Sequence, residues 1–404
     1  MAVAYHLLGF QGRRAEQRAA LLLYLAAGMY SIVLAMLVVL VPLYTLHLGY
    51  NFATMGAVIS SQALLQISLQ LFGGMFSDRF GERIVWRMSF FAAVVGCIIF
   101  LFSSTLGALF SAQLFLGFSR AIYWNAGQTY GARLSEPDTP AIIARFLGYG
   151  SLGLIFGGPL AGAVAGTSGF TAAFALCCGF CCIPLIISFI MPSLPRRGAI
   201  QTIGDVIRPV PGLLRMRVLW LGVIMGFLSS MSVAMLGSVY IAFFKESGHS
   251  ESVIGLVNAL HSIGLVVFGF AFAYVLKRLG YQAMYGLSLV GMGVMTLLMV
   301  LTGSFLGALI PVIVILGIVF GASRVLYPVM AAQAAPPGLR ATTMAVTGLG
   351  WATAMLIVPV SFGALADATS LATAINVAAL ILAGVGIISP FLFRLLYTAP
   401  EVRA

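Results

Sequence analysis

GFSRAIYW, residues 117–124, and GASRVLYP, residues 321–328, are two versions of one local string, and each sets a single arginine (Arg120, Arg324) deep inside a long apolar stretch. The arginines stand 204 residues apart in a chain of 404, so the second half reads as a duplicate of the first. An arginine at the centre of a bilayer costs roughly 2.5–3.5 kcal/mol on insertion scales. A chain that carries this cost twice, at matched positions, is expected to use the charge. The repeated string therefore predicts a duplicated helical membrane protein with two cationic side chains facing a central cavity.

Composition excludes a water-soluble fold. The chain is 61% hydrophobic and 8% charged, with a mean hydropathy of +1.09, whereas soluble domains carry about 25% charged residues. A helical span needs ~20 mostly apolar residues. Twelve stretches qualify: 20–46, 52–76, 86–104, 107–131, 142–165, 170–191, 218–243, 252–276, 283–302, 305–331, 341–365 and 371–396. These runs are continuous, so the alternation of a membrane β-barrel is absent. The 46 glycines suit close helix packing through small faces. The first run is too long for a signal-peptide core and lacks a small-residue cleavage site, so it is expected to stay as helix 1.

The net charge of +11 raises the question of nucleic acid, and its placement answers it. With the N-terminus inside, eighteen of the 21 basic residues fall on the inner side, in segments 13–18, 79–87, 133–145, 196–217, 277–278, 340 and 394–403. Two more are the intramembrane arginines, and Lys245 alone falls outside. This is the positive-inside pattern. It predicts a multi-pass protein of a bacterial inner membrane with both termini cytoplasmic, the lipid bilayer as its surroundings and no nucleic-acid partner. Four of five cysteines form CCGFCC (177–182) in helix 6, without a nearby histidine or acid, and read as small packing residues. No metal, no cofactor and a monomeric state are expected.

The duplication recurs outside the arginine strings. Phe80-Gly81 after helix 2 matches Leu279-Gly280 after helix 8, Asp78-Arg79 matches Lys277-Arg278, and Pro159 in helix 5 matches Pro359 in helix 11. Residues 192–217, with four prolines and five arginines, interrupt the apolar pattern. The expected organisation is a six-helix bundle over 1–191, a cytoplasmic linker over 192–217 and a second six-helix bundle over 218–404. Internal repeats of this kind build many transporters, with the binding site at the midplane between them.

The loop between helices 2 and 3 reads GMFSDRFGER (74–83) and resembles the loop motif of the major facilitator superfamily. Gly74, Asp78, Arg79, Gly81 and Arg83 match that motif, and Ile84 replaces its last basic residue. The resemblance extends over the whole chain: span count, central linker, two halves and the echo after helix 8. It implies an all-α major facilitator fold and a role for this loop as a conformational latch between the halves. Arg120 resembles the family's membrane-embedded arginine of helix 4, often tied to proton coupling, although AIYWNA follows it instead of the usual continuation. Gly158, Pro159 and Gly162 resemble the helix 5 element of the drug–proton antiporters, which kinks that helix. Ala163 stands where a second glycine is usual.

The polar residues within the spans set the chemistry. All ten acidic residues fall in loops, tails or span ends, so no buried carboxylate is available to bind a cation. Arginine presents a planar fork suited to carboxylate or phosphate. Trp124 and Gln128 follow Arg120 at i+4 and i+8, and Tyr123 and Tyr327 stand at i+3 from each arginine. Gln62, Gln66 and Gln70 form a stripe on helix 2, with Gln66 a candidate for the cavity. His261 is the one histidine within a span, with Asn258 on its face. It is either a neutral, hydrogen-bonded group or a carrier of the coupling proton.

The reading that follows is a secondary active transporter working by alternating access. It exports a small anionic or amphipathic organic compound against protons, with Arg120, Arg324, Tyr123, Trp124, Gln128, Tyr327, Asn258 and Gln66 as substrate contacts. His261 and Arg120 are the candidates for proton coupling. No nucleotide-binding loop of the G-x-x-x-x-G-K-[ST] type occurs, and no catalytic constellation points to an enzyme. The alternatives are an organic-anion importer or exchanger and, in another class, a non-transporting scaffold or sensor.

Overall fold

Every described element is helical, because each apolar run must satisfy its own backbone hydrogen bonds where water is excluded. The computed structural model describes residues 14–70, 72–102, 104–134, 139–194, 204, 208–334 and 340–396, and no strand occurs among them. The spans of the first half are α1 (Arg14–His47), α2 (Phe52–Gln70), α3 (Glu82–Phe102), α4 (Leu106–Leu134), α5 (139–168) and α6 (170–190). Those of the second are α7 (Arg217–Leu236), α8 (251–279), α9 (281–302), α10 (Leu306–Ala334), α11 (Arg340–Ala368) and α12 (Leu371–Leu396). A short helix, Gly73–Phe80, follows α2, and another, Val239–Glu246, extends α7. The helical stretches Thr139–Ile190 and Glu251–Thr302 turn at Gly169 and Gly280, which divide α5 from α6 and α8 from α9. Residues 195–203 and 205–207 of the predicted linker lie outside the described residues; its end forms a short helix, Val210–Leu213.

The duplication is visible in the backbone. Gly81 and Gly280 end their helices at φ +83° and +74°, a left-handed region open to glycine, and Gly49 and Gly248 do so at +84° and +85°. Leu106-Gly107-Ala108-Leu109 opens α4 and Leu306-Gly307-Ala308-Leu309 opens α10, both helices running for 29 residues. Within the first half α2 packs on α4, where a Cβ on Gly117 would lie 2.3 Å from the Gln62 carbonyl oxygen. Within the second, α8 packs on α10, where a Cβ on Gly317 would lie 2.1 Å from the His261 carbonyl oxygen. His261 is thus the structural mate of Gln62.

This register corrects one expectation. The structural repeat runs at 199–200 residues, as Gly81/Gly280 and Leu106/Leu306 show, whereas the arginine strings match at 204. Arg120 is therefore equivalent in the fold to Phe320, and Arg324 to Trp124. The four-residue difference is about one helical turn. It leaves the arginines on corresponding faces and sets Arg324 about 6 Å further along the bundle, toward the end that carries both chain termini.

Candidate functional site

The helical period decides which side chains meet between the halves. Gln62 and Ala63 of α2 stand three and four residues after Ile59, and Gln113, Leu116 and Arg120 of α4, Asn258, His261 and Leu265 of α8, Phe320 and Arg324 of α10, and Trp351 and Met355 of α11 stand at spacings of three, four or seven. They line one cavity of about 140 Å³, together with apolar residues of α1, α5 and α7. A single water needs roughly 10–15 Å³ by this measure, so the space admits a small solute. Among the described residues no aspartate or glutamate lines it.

Arg120, Arg324, His261 and Asn258 are thus brought together. The Arg324 guanidinium lies 5.5 Å from the Trp351 ring centroid and 5.9 Å from that of Phe320, in cation–π range. The His261 ring packs on Phe320 at 5.2 Å. The arginines lie within electrostatic reach of each other, and Arg324 within reach of His261. Arg120 Nε, His261 Nε2 and Gln113 Oε1 are buried without a hydrogen-bond partner. Such atoms are costly to leave unsatisfied, and here they cluster on residues that share a cavity.

Five predicted contacts are placed elsewhere. Tyr123 is fully buried inside the first bundle, stacked on Trp86 at 5.7 Å and packed on Tyr30 at 4.2 Å. Trp124 packs on Phe146, and Tyr327 faces Gly226 of α7. Gln128 is exposed, and Gln66 is half-buried beside the cavity-lining Gln62. The cause is common to them. Side chains on a helix lean toward its N-terminus, so the surface shared with Arg120 and Arg324 lies at i−4 and i−7, where Leu116, Gln113 and Phe320 are found. Gln113 was missed because the arginine face was followed in one direction only. The side chain of Gln70 lies outside the described residues.

At the end opposite the termini the halves are sealed against each other. A Cβ on Gly56 of α2 would lie 2.1 Å from the Pro359 carbonyl oxygen of α11, and one on Gly255 of α8 would lie 2.2 Å from that of Gly158 in α5. One turn on, Gly363 meets Phe52 and Gly162 meets Glu251 in the same way, at 2.3 and 2.1 Å. The Asp367 carboxylate accepts hydrogen bonds from the backbone N–H groups of Phe52 (3.0 Å) and Ala53 (2.8 Å), capping α2 from the other half. Pro159 lies inside the helix with helical dihedrals, and the one residue of Thr139–Ile190 with non-helical φ/ψ is Gly169. Gly158, Pro159 and Gly162 serve as an interface, repeated by Pro359 and Gly363.

The predicted latch lies at the termini end. The side chain of Asp78 and the packing of Gly74 are outside the described residues. Gly81 makes the left-handed turn into α3, and Arg79 is exposed beside Phe80. Arg83 donates to the carbonyls of Ser188 (3.3 Å) and Phe189 (2.6 Å), at the C-terminus of α6. Beside it Glu82 pairs with Arg133 of α4 at 2.5 Å. These contacts tie the loop into its own bundle. Cys97 of α3 lies 3.7 Å from Cys177 and 3.6 Å from Cys181 of α6, sulfur to sulfur, in the packed core of the first half.

A membrane-length helical bundle, doubled and folded around a solute-sized hollow, is the architecture of a transporter rather than of an enzyme. The profile of the Major Facilitator Superfamily matches residues 23–247 and 222–404, and the chain belongs to that family. Among solved structures it is similar to the nucleoside transporter NupG (15% identity, TM-score 0.74, covering 96% of this chain and 100% of that one). It is also similar to a POT family transporter in complex with 5-aminolevulinic acid (13%, TM-score 0.77, 95% and 97%). A bacterial homologue of the human lysosomal transporter Spinster, in an inward-facing and unoccupied conformation, matches at 13% identity and TM-score 0.77, covering 96% and 100%. At these identities the likeness is one of fold. No protein of curated function matches the chain in sequence.

Proposed function

We propose that this transporter moves a small organic anion, or an amphipathic compound with an anionic group, by alternating access of the central cavity. The observation that carries the reading is that Arg120 and Arg324, one from each half, line the same cavity while no carboxylate of the described residues does. Two repelling cations in a space of low polarity attract a counter-charge, and a guanidinium fork fits a carboxylate or phosphate. Trp351, Phe320 and the aliphatic lining offer an apolar wall for the rest of the solute. The sealed end opposite the termini corresponds to an inward-facing state if the termini are cytoplasmic, as the placement of basic residues predicts. The two six-helix bundles, 1–191 and 218–404, are the units that rock about the site.

The direction we propose is export against protons, supported by the resemblance of the helix 5 element and by His261, a titratable group in the same cavity. A second reading, uptake of the anion together with a proton, is favoured by one observation. His261 lines the same cavity as both arginines, so a proton taken up there with the anion adds to the positive charge that holds it. Transport of the same anion in right-side-out and inverted vesicles under an imposed pH gradient separates the two. Export predicts accumulation in inverted vesicles driven by an acidic interior, and uptake with protons predicts accumulation in right-side-out vesicles driven by an acidic exterior. The anion assignment itself is tested by a thermal-shift screen of the purified protein at two pH values. Stabilisation by organic anions supports it, and stabilisation by cations alone overturns it.

A further inference from the structure

The cavity is chemically graded along its length. α4 and α8 both run from the sealed end toward the termini end. Gln113 and Asn258 each come seven residues after the first residue of their helix, about 10 Å in, and Gln62 of α2 comes ten residues in. Arg120 is a further seven residues along α4, about 10 Å beyond Gln113, and Arg324 is about one turn deeper again. The part nearer the sealed end therefore presents the amides, with the His261 imidazole at the depth of Gln62, and the other end presents guanidiniums. Between them Leu116 and aliphatic residues of α1 line the wall.

Gln113 has no structural duty to explain its burial. It is 3% exposed, its Oε1 is buried without a partner, and its helical neighbours facing the cavity are Leu116 and Arg120. The backbone on both sides of it is regular helix and needs no side-chain acceptor. Such an amide, left in a largely apolar wall, costs free energy unless a bound solute completes it. The oxygen and nitrogen of a glutamine amide exchange places by a simple flip. A hydroxyl both donates and accepts, and so satisfies either orientation.

From this gradient we infer that the substrate is an elongated organic anion whose acid group meets Arg120 and Arg324 and whose far end, nearer the sealed end, carries a hydroxyl or amide that is read by Gln113. The inference rests on the anion reading of the cavity and adds to it a polar group at the end away from the acid. Gln113 acts as a specificity residue: it selects among anions, and the arginines bind them.

The test compares ω-hydroxy carboxylates of increasing chain length with plain carboxylates of equal length, as affinities for the purified full chain. For wild type, the hydroxy acid whose hydroxyl reaches Gln113 binds about three- to tenfold tighter than its plain counterpart, the worth of one buried hydrogen bond. Gln113→Leu brings that ratio to about one, and Gln113→Asn moves the preference to a longer chain. Arg120→Gln weakens both series alike. Unchanged elution and melting of each variant show that it is folded. A wild type indifferent to the hydroxyl at every length, or a Gln113→Leu variant that keeps the preference, overturns the inference while the anion reading stands. If no carboxylate of either series binds in an arginine-dependent way, the anion reading fails and this inference with it.

Discussion

At the scale of single residues, the site depends on two guanidiniums without an acidic neighbour in the cavity. Hydrogen bonds to charged groups are worth about 1.5–3 kcal/mol, so Arg120→Gln and Arg324→Gln are each expected to weaken binding of the transported anion about 10- to 100-fold. The lysine variants keep the charge and lose the planar fork, and should fall between wild type and glutamine in an equilibrium binding assay. Equal affinities for the lysine and glutamine variants would show that geometry alone matters. The arginines, Asn258 and His261 were legible in the sequence because charge and amide inside an apolar run stand out against their surroundings. Tyr123, Trp124 and Tyr327 were misplaced for the opposite reason. Aromatic residues suit a bundle core as well as a cavity wall, and only the lean of helical side chains toward the N-terminus separates the two. Applied to Arg120, that rule points to Leu116 and Gln113, both of which line the cavity.

At the scale of elements, the two glycine–proline contacts determine how the halves meet. The α5–α8 and α2–α11 crossings are related by the internal repeat, and in each a glycine of one half lies against the backbone at or beside a proline of the other. A side chain cannot be added at Gly255 without moving the backbone of α5, since its Cβ would lie 2.2 Å from a carbonyl oxygen. Gly255→Leu is therefore expected to keep the protein folded but hold the sealed end apart, lowering transport at least tenfold while anion binding persists. Normal transport by this variant would show that the contact is dispensable. Asp367 contributes a charge–dipole cap at the same end, worth about 0.3–1 kcal/mol. Asp367→Asn should shift the balance toward the state open at that end about two- to fivefold, measured by labelling single cysteines placed in the cavity from each side of the membrane. The sequence made Pro159 and Pro359 visible as a pair, but their partners Gly255 and Gly56 lie on other helices, and nothing local in the sequence connects them.

At the scale of the whole molecule, span number, duplication and the major facilitator fold were legible because membrane insertion imposes them residue by residue. The exact pairing of positions between the halves was not. Two look-alike strings at a spacing of 204 suggested equivalence, while the backbone repeats at 199–200. The resulting stagger lengthens the cationic surface along the cavity, the path we propose for the anion. The loop at 74–83 belongs to this scale too. Arg83 anchors it to α6, and the latch proposed for Asp78 acts on the rocking of the halves. Asp78→Asn is expected to slow turnover and spare affinity in proteoliposome transport, and the reverse pattern would contradict the latch. The account as a whole depends on both arginines serving one solute. The most direct test is the affinity of the best-stabilising organic anion for four proteins: wild type, Arg120→Gln, Arg324→Gln and the double variant. The account predicts that each single change weakens binding at least tenfold and that the double variant loses less than the product of the two, as coupled residues do. Singles that bind the anion as tightly as wild type would contradict it.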